Sequence, residues 1–442
     1  MNWARSPAVV RAPATSANLG PGFDAFGLAL GLYDQVEASV TGRGLAVEVY
    51  GEGEETAAAG ERHLVVRAMR AAFDAMGGQP AGLVLRCTNG IPHGRGLGSS
   101  AAAVVSGILA ARALVADGSD RLPDTEVLRL AVDLEGHPDN VAACLAGGLT
   151  VAWHPAVAGG CADSGADVAP GVLGAGSGAD VAPGVPGAGS GTEVALGADV
   201  IRGEPPAGRP VRLLRFDVLA AITAVACVAP GAMATHEARA ALPASVPHAD
   251  AAANAARSAL LLAALTGDPS VLYDATEDYL HPRSRAAAMP ATADLLARLR
   301  RAGVAAVVSG AGPSVLALGV AGAPPGPAAA PPGLAESRRG LADDRGDLAA
   351  GRPVADGQPG LALVDSIARE TGIAWHVTPL KVDRQGATVH AGTGRPPPGT
   401  AWQGRSTNQD PEPGVHPAGG STQGRATDPA THGPQSRECR GL

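Results

Sequence analysis

The feature that most constrains this chain is a glycine-rich turn that runs directly into an alanine-rich helix. Residues 91–103 read IPHGRGLGSSAAA, with three glycines within five residues and two serines where the predicted helix begins. Glycine lets backbone N–H groups converge on an anion, and the N-terminus of a helix adds partial positive charge at the same place. The segment therefore predicts a phosphate site, although such a turn by itself is about as typical of a plain structural loop.

The lysine content limits how a phosphate could be held. The only lysine is Lys381, in the context TPLK near the C-terminus, and the P-loop string GxxxxGK[S/T] is absent. P-loop NTPases and protein kinases both need a phosphate-binding lysine in a defined local context. The sequence thus indicates a nucleotide site built from backbone amides, serine hydroxyls, carboxylate-held magnesium and arginine.

Three other segments carry recognisable motifs. Residues 9–24 (VVRAPATSANLGPGFD) join a strand-like start to a turn rich in Gly, Pro, Asn and Asp. Residues 134–142 read LEGHPDNVA, and residues 307–318 (VVSGAGPSVLAL) predict an apolar strand, a glycine turn and a second apolar strand. Together with the glycine-rich turn, these segments in this order resemble the signature of the GHMP kinase superfamily.

Within that superfamily, residues 13–24 and 134–142 are similar to the homoserine kinases. Mevalonate kinases carry a lysine where Thr15 stands, and galactokinases carry a Gly-Glu-His signature that is absent here. The resemblance covers residues 9–154 and 211–319 and, more loosely, 361–392. It implies ATP-dependent phosphorylation of the hydroxyl of L-homoserine on the route to threonine. Two alternatives stay open: another small-molecule kinase of the superfamily, and a catalytically silent relative that senses ligands.

The predicted elements mix strands and helices along the chain, which favours an α+β fold. Strands are predicted at 35–50 and 82–88, a strand pair or one long strand at 213–228, and helices at 62–77, 99–117, 124–135, 250–266 and 291–302. The resemblance implies the two-domain GHMP kinase fold, with an N-terminal domain like ribosomal protein S5 domain 2 and a ferredoxin-like C-terminal domain, interrupted by disordered insertions.

Composition divides the chain into segments. Residues 165–177 recur at 178–190 with one change, and this Gly/Ala/Pro-rich pair is too short to fold as a repeat. The predicted segments are an ATP-binding N-terminal domain at 1–155, low-complexity insertions at 156–209 and 320–360, a C-terminal domain at 210–319 with its terminal helix and strand at 361–392, and a disordered tail at 393–442.

The resemblance places ATP on the glycine-rich turn and Mg²⁺ beside it. Ser100 and Glu135 are the implied magnesium ligands, since Mg²⁺ takes few protein oxygens and completes its shell with phosphate and water. The plainer interpretation of Glu135 is a solvated charge at a helix C-terminus, where an anion is unfavourable. The implied nucleotide contacts are Pro92, His93, Gly94, Arg95, Gly96, Leu97, Gly98, Ser99, Ser100, Ala101 and Ala102.

The implied catalytic residues are Ser100, Glu135 and Asn140. Asn140 is an amide and cannot act as a general base at neutral pH, so the predicted mechanism is one of positioning and charge stabilisation. Asp139 and Asn140 could instead cap the short helix that follows them, an ordinary use of both residue types. That interpretation accounts for one of the two, but not for both together with His137.

Homoserine is a zwitterion, so its site needs a cationic group for the carboxylate and an anionic or amide group for the ammonium. Residues 235–239 (THEAR) and 280–285 (LHPRSR) resemble two motifs of the family, and this resemblance makes Arg239 and Arg285 the implied carboxylate clamp. A guanidinium can bind a carboxylate bidentately. A solvated surface position is the default for a lone arginine, and Ser284 replaces the tyrosine usual in the family next to Arg285. The full set of implied substrate contacts is Asn18, Asp24, His137, Asn140, Thr235, Arg239 and Arg285.

Charge and composition argue against several other classes. A net charge of -8 with dispersed arginines disfavours a nucleic-acid partner, and no apolar stretch of about 18 residues predicts a membrane span. The N-terminus lacks a signal-peptide pattern, and five cysteines without a CxxC pair are typical of reduced thiols. We therefore expect a cytoplasmic enzyme acting on a small molecule, for which the resemblance makes a homodimer plausible.

Overall fold

The computed structural model describes residues 1–155, 200–201, 210–281, 285–321 and 360–391; residues 200–201 and 235–236 are described by their backbone alone. The predicted insertion at 156–209 lies outside these ranges apart from residues 200–201. The predicted insertion at 320–360 also lies outside these ranges, apart from residues 320, 321 and 360. The predicted tail and Ser284 lie outside them too.

The larger of two sheets is built mainly from the N-terminal part of the chain. Its order is β12-β1-β2-β5-β7-β6, with β4 also paired to β2 and β3 paired to β4. β1 and β4 both run antiparallel to β2, so they run parallel to each other. The turns that follow β1 and β4 therefore leave the sheet at the same end of the strands. The strands are β1 (Ala8–Ala17), β2 (Phe26–Thr41), β3 (Gly44–Gly51), β4 (Gly82–Asn89), β5 (Leu149–Trp153), β6 (Val200–Ile201), β7 (Arg212–Phe216) and β12 (Thr388–Ala391).

Helices pack on this sheet around a central one. α2 is nearly all buried, and its small side chains let neighbours approach closely: a Cβ on Gly107 would lie 2.6 Å from Val65 O. Its N-terminus is thereby held at a defined place beneath the glycine-rich turn. The helices of this layer are α1 (Leu64–Met76), α2 (Ser99–Ala113), α3 (Gly118–Arg121), α4 (Asp124–Glu135) and α5 (Pro138–Ala146), and a 3₁₀ segment spans Glu54–Arg62.

A second, four-stranded sheet is antiparallel throughout, in the order β11-β8-β10-β9. Two helices, α9 and α10, bury an apolar stripe against it that includes Leu295, Leu299, Val364 and Ile367. The elements are β8 (Ile222–Val228), α6 (Thr235–Ala240), α7 (His248–Thr266), α8 (Leu272–Ala275), α9 (Pro290–Arg301), β9 (Ala305–Val308), β10 (Val315–Val320), α10 (Leu361–Glu370) and β11 (His376–Leu380).

The predicted α+β class is confirmed, and the predicted helices agree with observed ones to within a few residues. Residues 35–50 fall in two strands, β2 and β3, and residues 213–228 are a strand pair in which β7 joins the large sheet and β8 the small one. At the other end of the chain, β12 pairs with β1. Strand pairing thus crosses the predicted segment limits near 210 and 361, and those limits stay predictions.

The structure also bears on the predicted state of the cysteines and on membrane-spanning helices. Cys87, Cys144 and Cys227 are free and buried, which agrees with small apolar side chains packed in a core. Among the helices of the described residues, none combines the length and the apolar character needed to cross a bilayer.

Candidate active site

One open cavity, whose empty space of about 660 Å³ includes open solvent, gathers most of the predicted site residues. It is bounded by the turn after β1, the glycine-rich turn with the start of α2, the junction of α4 and α5, and the turn between β9 and β10. The predicted residues that line it are Asn18, Gly94, Gly96, Gly98, Ser99, Ser100, Glu135, His137, Asn140, Arg239 and Arg285.

The glycines of the turn are required by its backbone. Gly94, Gly96 and Gly98 have φ angles of 66°, 73° and 72°, in the left-handed region that disfavours other residues. A Cβ on Gly96 would lie 2.2 Å from Ser309 O, and one on Gly98 would lie 1.9 Å from Thr15 Oγ1. Gly98 caps α2, so the positive end of the helix dipole opens on the cavity. This geometry suits an anion such as phosphate.

The turn between β9 and β10 holds the glycine-rich turn from the other side. Ser309 Oγ lies 2.7 Å from Gly96 O and 2.9 Å from Ser16 Oγ. Both serines are fully buried. Sequence reasoning noted the SGAGPS segment as a motif but assigned no residue in it, because the partners of Ser309 lie 213 and 293 residues away along the chain.

The remaining predicted nucleotide contacts have side chains that do not line the cavity. Pro92, Leu97, Ala101 and Ala102 are buried in the fold. Arg95 donates to the carbonyl oxygens of Ala229 and Pro230 at 2.9 and 3.0 Å, and so ties the turn to the end of β8. The ring of His93 packs over Gly53, and burial lowers its pKa. Any nucleotide contact of these residues would come from their backbone, and it stays a prediction.

Ser100 and Glu135 form a hydroxyl–carboxylate pair at the mouth of the turn. Ser100 Oγ donates to Glu135 Oε2 at 2.7 Å, and both residues line the cavity. Glu135 is the last residue of α4, and Gly136 ends that helix with a φ of 92°. Burial raises the pKa of the Glu135 carboxyl, while the hydrogen bond from Ser100 opposes that rise.

The donor set fits a magnesium ion in one specific way. Mg²⁺ prefers oxygen ligands and usually takes only one or two protein groups when phosphates supply the rest. A hydroxyl beside one carboxylate is such a set, and no group of three or more His, Cys, Asp or Glu residues able to hold a metal occurs among the described residues. Ser100 and Glu135 would therefore hold magnesium only together with a phosphate-bearing ligand.

The start of α5 presents three polar side chains that are bonded to one another. Asp139 is buried at 2% exposure; its Oδ1 lies 2.7 Å from His137 Nδ1 and accepts the backbone N–H of Asn140 at 2.7 Å. The bond to Asp139 raises the pKa of His137. The capping interpretation is wrong, because Asp139 and Asn140 both lie inside α5 and the N-cap residue is His137, with no side-chain capping bond. Asn140 Oδ1 instead accepts a 2.7 Å hydrogen bond from Thr15 Oγ1.

Two of the predicted substrate groups bind each other: Arg239, which lines the cavity, and Asp24, which is not among its lining residues. The guanidinium of Arg239 forms a bidentate ion pair with Asp24, at 2.6 and 3.1 Å. Arg285 lies at 3% exposure and donates to Ala238 O at 3.2 Å, and burial lowers its pKa. Asn18 Oδ1 accepts the Asp24 N–H at 3.0 Å, which orients the acid.

Thr235 begins α6 one turn before Arg239, but its side chain is not described. The substrate-binding roles of Asn18, Asp24, His137, Asn140, Thr235, Arg239 and Arg285 stay predictions.

Sequence reasoning missed Asp34, a carboxylate buried at 4% exposure in β2. Its Oδ1 accepts the N–H groups of Gly90 and Ile91 at 2.8 and 2.9 Å, where the chain leaves β4 and enters the glycine-rich turn. The available signal was an acidic residue on the otherwise apolar face of an alternating strand, because a buried Asp needs hydrogen-bond partners.

Comparison with known proteins agrees with this geometry. Residues 63–148 match the GHMP kinases N terminal domain, and residues 252–330 match the GHMP kinases C terminal domain. A homoserine kinase from Streptomyces avermitilis is 47% identical over 309 residues, which span 70% of this chain and 84% of that protein. One from Streptomyces coelicolor is 48% identical over 70% of this chain and 83% of that protein.

Solved structures share the fold. A homoserine kinase from Cytophaga hutchinsonii superposes with a TM-score of 0.56 at 20% identity, covering 88% of this chain and 99% of that one. A putative homoserine kinase from Listeria monocytogenes gives a TM-score of 0.52 at 23% identity, covering 87% and 99%. These two likenesses concern the two-domain fold. The identities to the two Streptomyces proteins over most of their length, together with the matches to the GHMP kinase domains, show that the chain belongs to the homoserine kinase family of the GHMP kinases.

Proposed function

We propose that this chain transfers the γ-phosphoryl group of ATP to the side-chain hydroxyl of L-homoserine, giving O-phospho-L-homoserine for threonine synthesis. ATP is the phosphate donor of GHMP kinases, the family to which the chain belongs. The observation that carries the proposal is the shared cavity. It brings a turn shaped for phosphate, a hydroxyl–carboxylate pair and two guanidinium groups around one space.

The phosphate end of the cavity is the glycine-rich turn. Phosphoryl transfer needs little covalent chemistry from the protein, and its catalysis is mainly positioning together with stabilisation of negative charge. Backbone N–H groups at Gly96 and Gly98 and the N-terminus of α2 supply such stabilisation without a lysine. Ser100 and Glu135 would hold the magnesium ion, which supplies positive charge to the phosphate oxygens when bound.

The substrate end of the cavity carries the charges that a zwitterionic amino acid requires. Arg239 and Arg285 suit the carboxylate, and Asp24 suits the ammonium group. The hydroxyl would then lie toward Asn140 and Ser100, between the two ends.

The transfer itself exchanges one bond to phosphorus for another. The hydroxyl oxygen bonds to the γ-phosphorus while the bond from that phosphorus to the β–γ bridging oxygen breaks, and the electron pair leaves with ADP. The hydroxyl proton passes late to a phosphoryl oxygen and then to water, because Asn140 cannot accept it. The residues of the cavity hold the reactants in line and offset the charge that develops.

The direct test is ADP release by the full-length protein with ATP, Mg²⁺ and a set of alcohols. We expect turnover with L-homoserine, and at least about a hundredfold lower kcat/KM with 4-hydroxybutyrate, which lacks the ammonium, and with 3-aminopropanol, which lacks the carboxylate, since each leaves a charged group of the site without its ligand partner. Faster turnover with another alcohol would favour a different small-molecule kinase. No release with any alcohol would favour the silent, ligand-sensing relative.

A further inference from the structure

We propose that Thr15 is a positioning residue for phosphoryl transfer: its hydroxyl holds the carboxamide of Asn140 with the NH₂ end facing the reacting groups. The inference rests on the proposed function, because it assigns a task within the same reaction. It starts from one contact, the 2.7 Å hydrogen bond from Thr15 Oγ1 to Asn140 Oδ1, which joins residues 125 positions apart.

Thr15 is fixed on every side. It lies in β1 with no exposed surface, and its own N–H donates to Leu97 O at 3.0 Å. Its hydroxyl occupies the space that a side chain on Gly98 would fill, since a Cβ there would lie 1.9 Å from Thr15 Oγ1. Thr15 therefore sits between the glycine-rich turn and the start of α5, and it contacts both. The Thr15 hydroxyl oxygen is thus held in place, and its hydrogen can rotate to be donated to Asn140.

The environment of Asn140 selects one of the two orientations of its amide. Asp139 Oδ1 lies 3.5 Å from Asn140 Nδ2, and a carboxylate accepts hydrogen bonds but does not donate them. If the amide were reversed, its oxygen would face that carboxylate and its NH₂ would face the Thr15 hydroxyl. In the observed orientation the oxygen receives the Thr15 hydrogen, and the NH₂ has a second N–H for the cavity that Asn140 lines.

This orientation decides what Asn140 offers to the reaction. An NH₂ group can donate to an oxygen on which negative charge develops, whereas a carbonyl oxygen at the same place would repel it. Preorganised donors of this kind act without reorganisation during the reaction, so their value lies in the transition state more than in substrate binding. Loss of the Thr15 hydroxyl should therefore lower kcat more than it changes either KM.

The experiment compares Thr15→Val, which keeps the shape of the side chain but removes the hydroxyl, with Thr15→Ser, which keeps the hydroxyl. Thr150→Val is the matched control: Thr150 is equally buried, lies in β5, and its hydroxyl is 3.4 Å from a backbone oxygen, Gly27 O. All variants are full-length, and ADP release is measured with homoserine and Mg·ATP.

We expect Thr15→Val to lower kcat by about tenfold or more, the effect of one lost hydrogen bond to a charge-stabilising group, with both KM values within about twofold. Thr15→Ser should stay within about threefold of wild type, and Thr150→Val should keep its kcat. In an Asn140→Ala background, Thr15→Val should cost no further activity, because Thr15 acts through Asn140.

Three outcomes would overturn the inference: a Thr15→Val protein with wild-type kcat, equal loss in the Val and Ser variants, or a further tenfold loss in the Asn140→Ala background. The wild-type protein separates these from failure of the proposed function. If it phosphorylates another alcohol instead of homoserine, the proposed substrate is wrong and the same ratios between variants are measured with that alcohol. If it phosphorylates none, the inference fails with the function.

Discussion

The pH dependence of stability should report on Asp34, the carboxylate at the entrance to the glycine-rich turn. Burial raises its pKa from a usual value of 3.8 to about 7, the two N–H bonds from Ile91 and Gly90 oppose the rise, and the charge of Glu52 adds to it. A raised pKa means that the folded protein binds this proton more tightly than the unfolded chain. The stabilisation is complete below about pH 4 and is lost as the pH rises through 7.

Asp34→Asn removes the titration but keeps an oxygen that can accept both N–H bonds. With 1.36 kcal/mol for each unit of pKa shift, the free energy of unfolding of the wild type should fall by roughly 3 kcal/mol relative to the variant between pH 5 and pH 8. Urea unfolding of both full-length proteins at four pH values measures this difference. The contributions of all other titrating groups cancel, because the two proteins share them.

Val36→Ala is the control, because Val36 is a buried residue of the same strand that does not titrate. It should lose a constant free energy across the pH range, since large-to-small core substitutions act through packing. A difference between wild type and Asp34→Asn that is equally flat would refute the assignment. It would mean that Asp34 keeps one protonation state in both the folded and the unfolded protein over that range.

Two predictions concern the site itself. Arg239→Lys keeps the charge but loses the two-pronged geometry now used on Asp24, so the KM for homoserine should rise by about tenfold while that for ATP stays within about twofold; equal weakening of both would indicate a folding or closure defect. Glu135→Gln keeps the size of the side chain but removes the charge beside Ser100, so kcat should fall by about a hundredfold or more with homoserine binding, measured by calorimetry, largely kept. Near-wild-type turnover in that variant would remove Glu135 from the site.

The glycine-rich turn could be predicted from the sequence because its cause is local. Glycine spacing, the serines and the alanine-rich run that follows all lie within 13 residues, and the left-handed backbone at Gly94, Gly96 and Gly98 is one that glycine adopts readily. The helices were also predictable, since their apolar periodicity is a property of neighbouring residues.

What could not be predicted depends on pairs that the fold brings together. Nothing in the local sequence of Thr15 indicates Asn140, and nothing near Asp34 indicates that its acceptor oxygen would meet the N–H groups of residues 90 and 91. The pairing of β12 with β1 joins opposite ends of the described chain for the same reason. Sheet register and buried polar partners are settled by the tertiary arrangement, which overrides local preference.

The ion pair between Arg239 and Asp24 shows that a list of predicted site residues does not say how those residues interact with one another. The resemblance implies that both are substrate contacts, Arg239 for the carboxylate and Asp24 for the amino group or the hydroxyl, yet here each neutralises the other. A ligand with only a carboxylate would take Arg239 and leave Asp24 without its partner, and breaking a partly buried pair in this way is costly. An α-amino acid can satisfy both groups at once. If the pair opens on binding, its cost favours zwitterions over either half of the same molecule, which is the discrimination that the comparison of homoserine with 4-hydroxybutyrate and 3-aminopropanol measures.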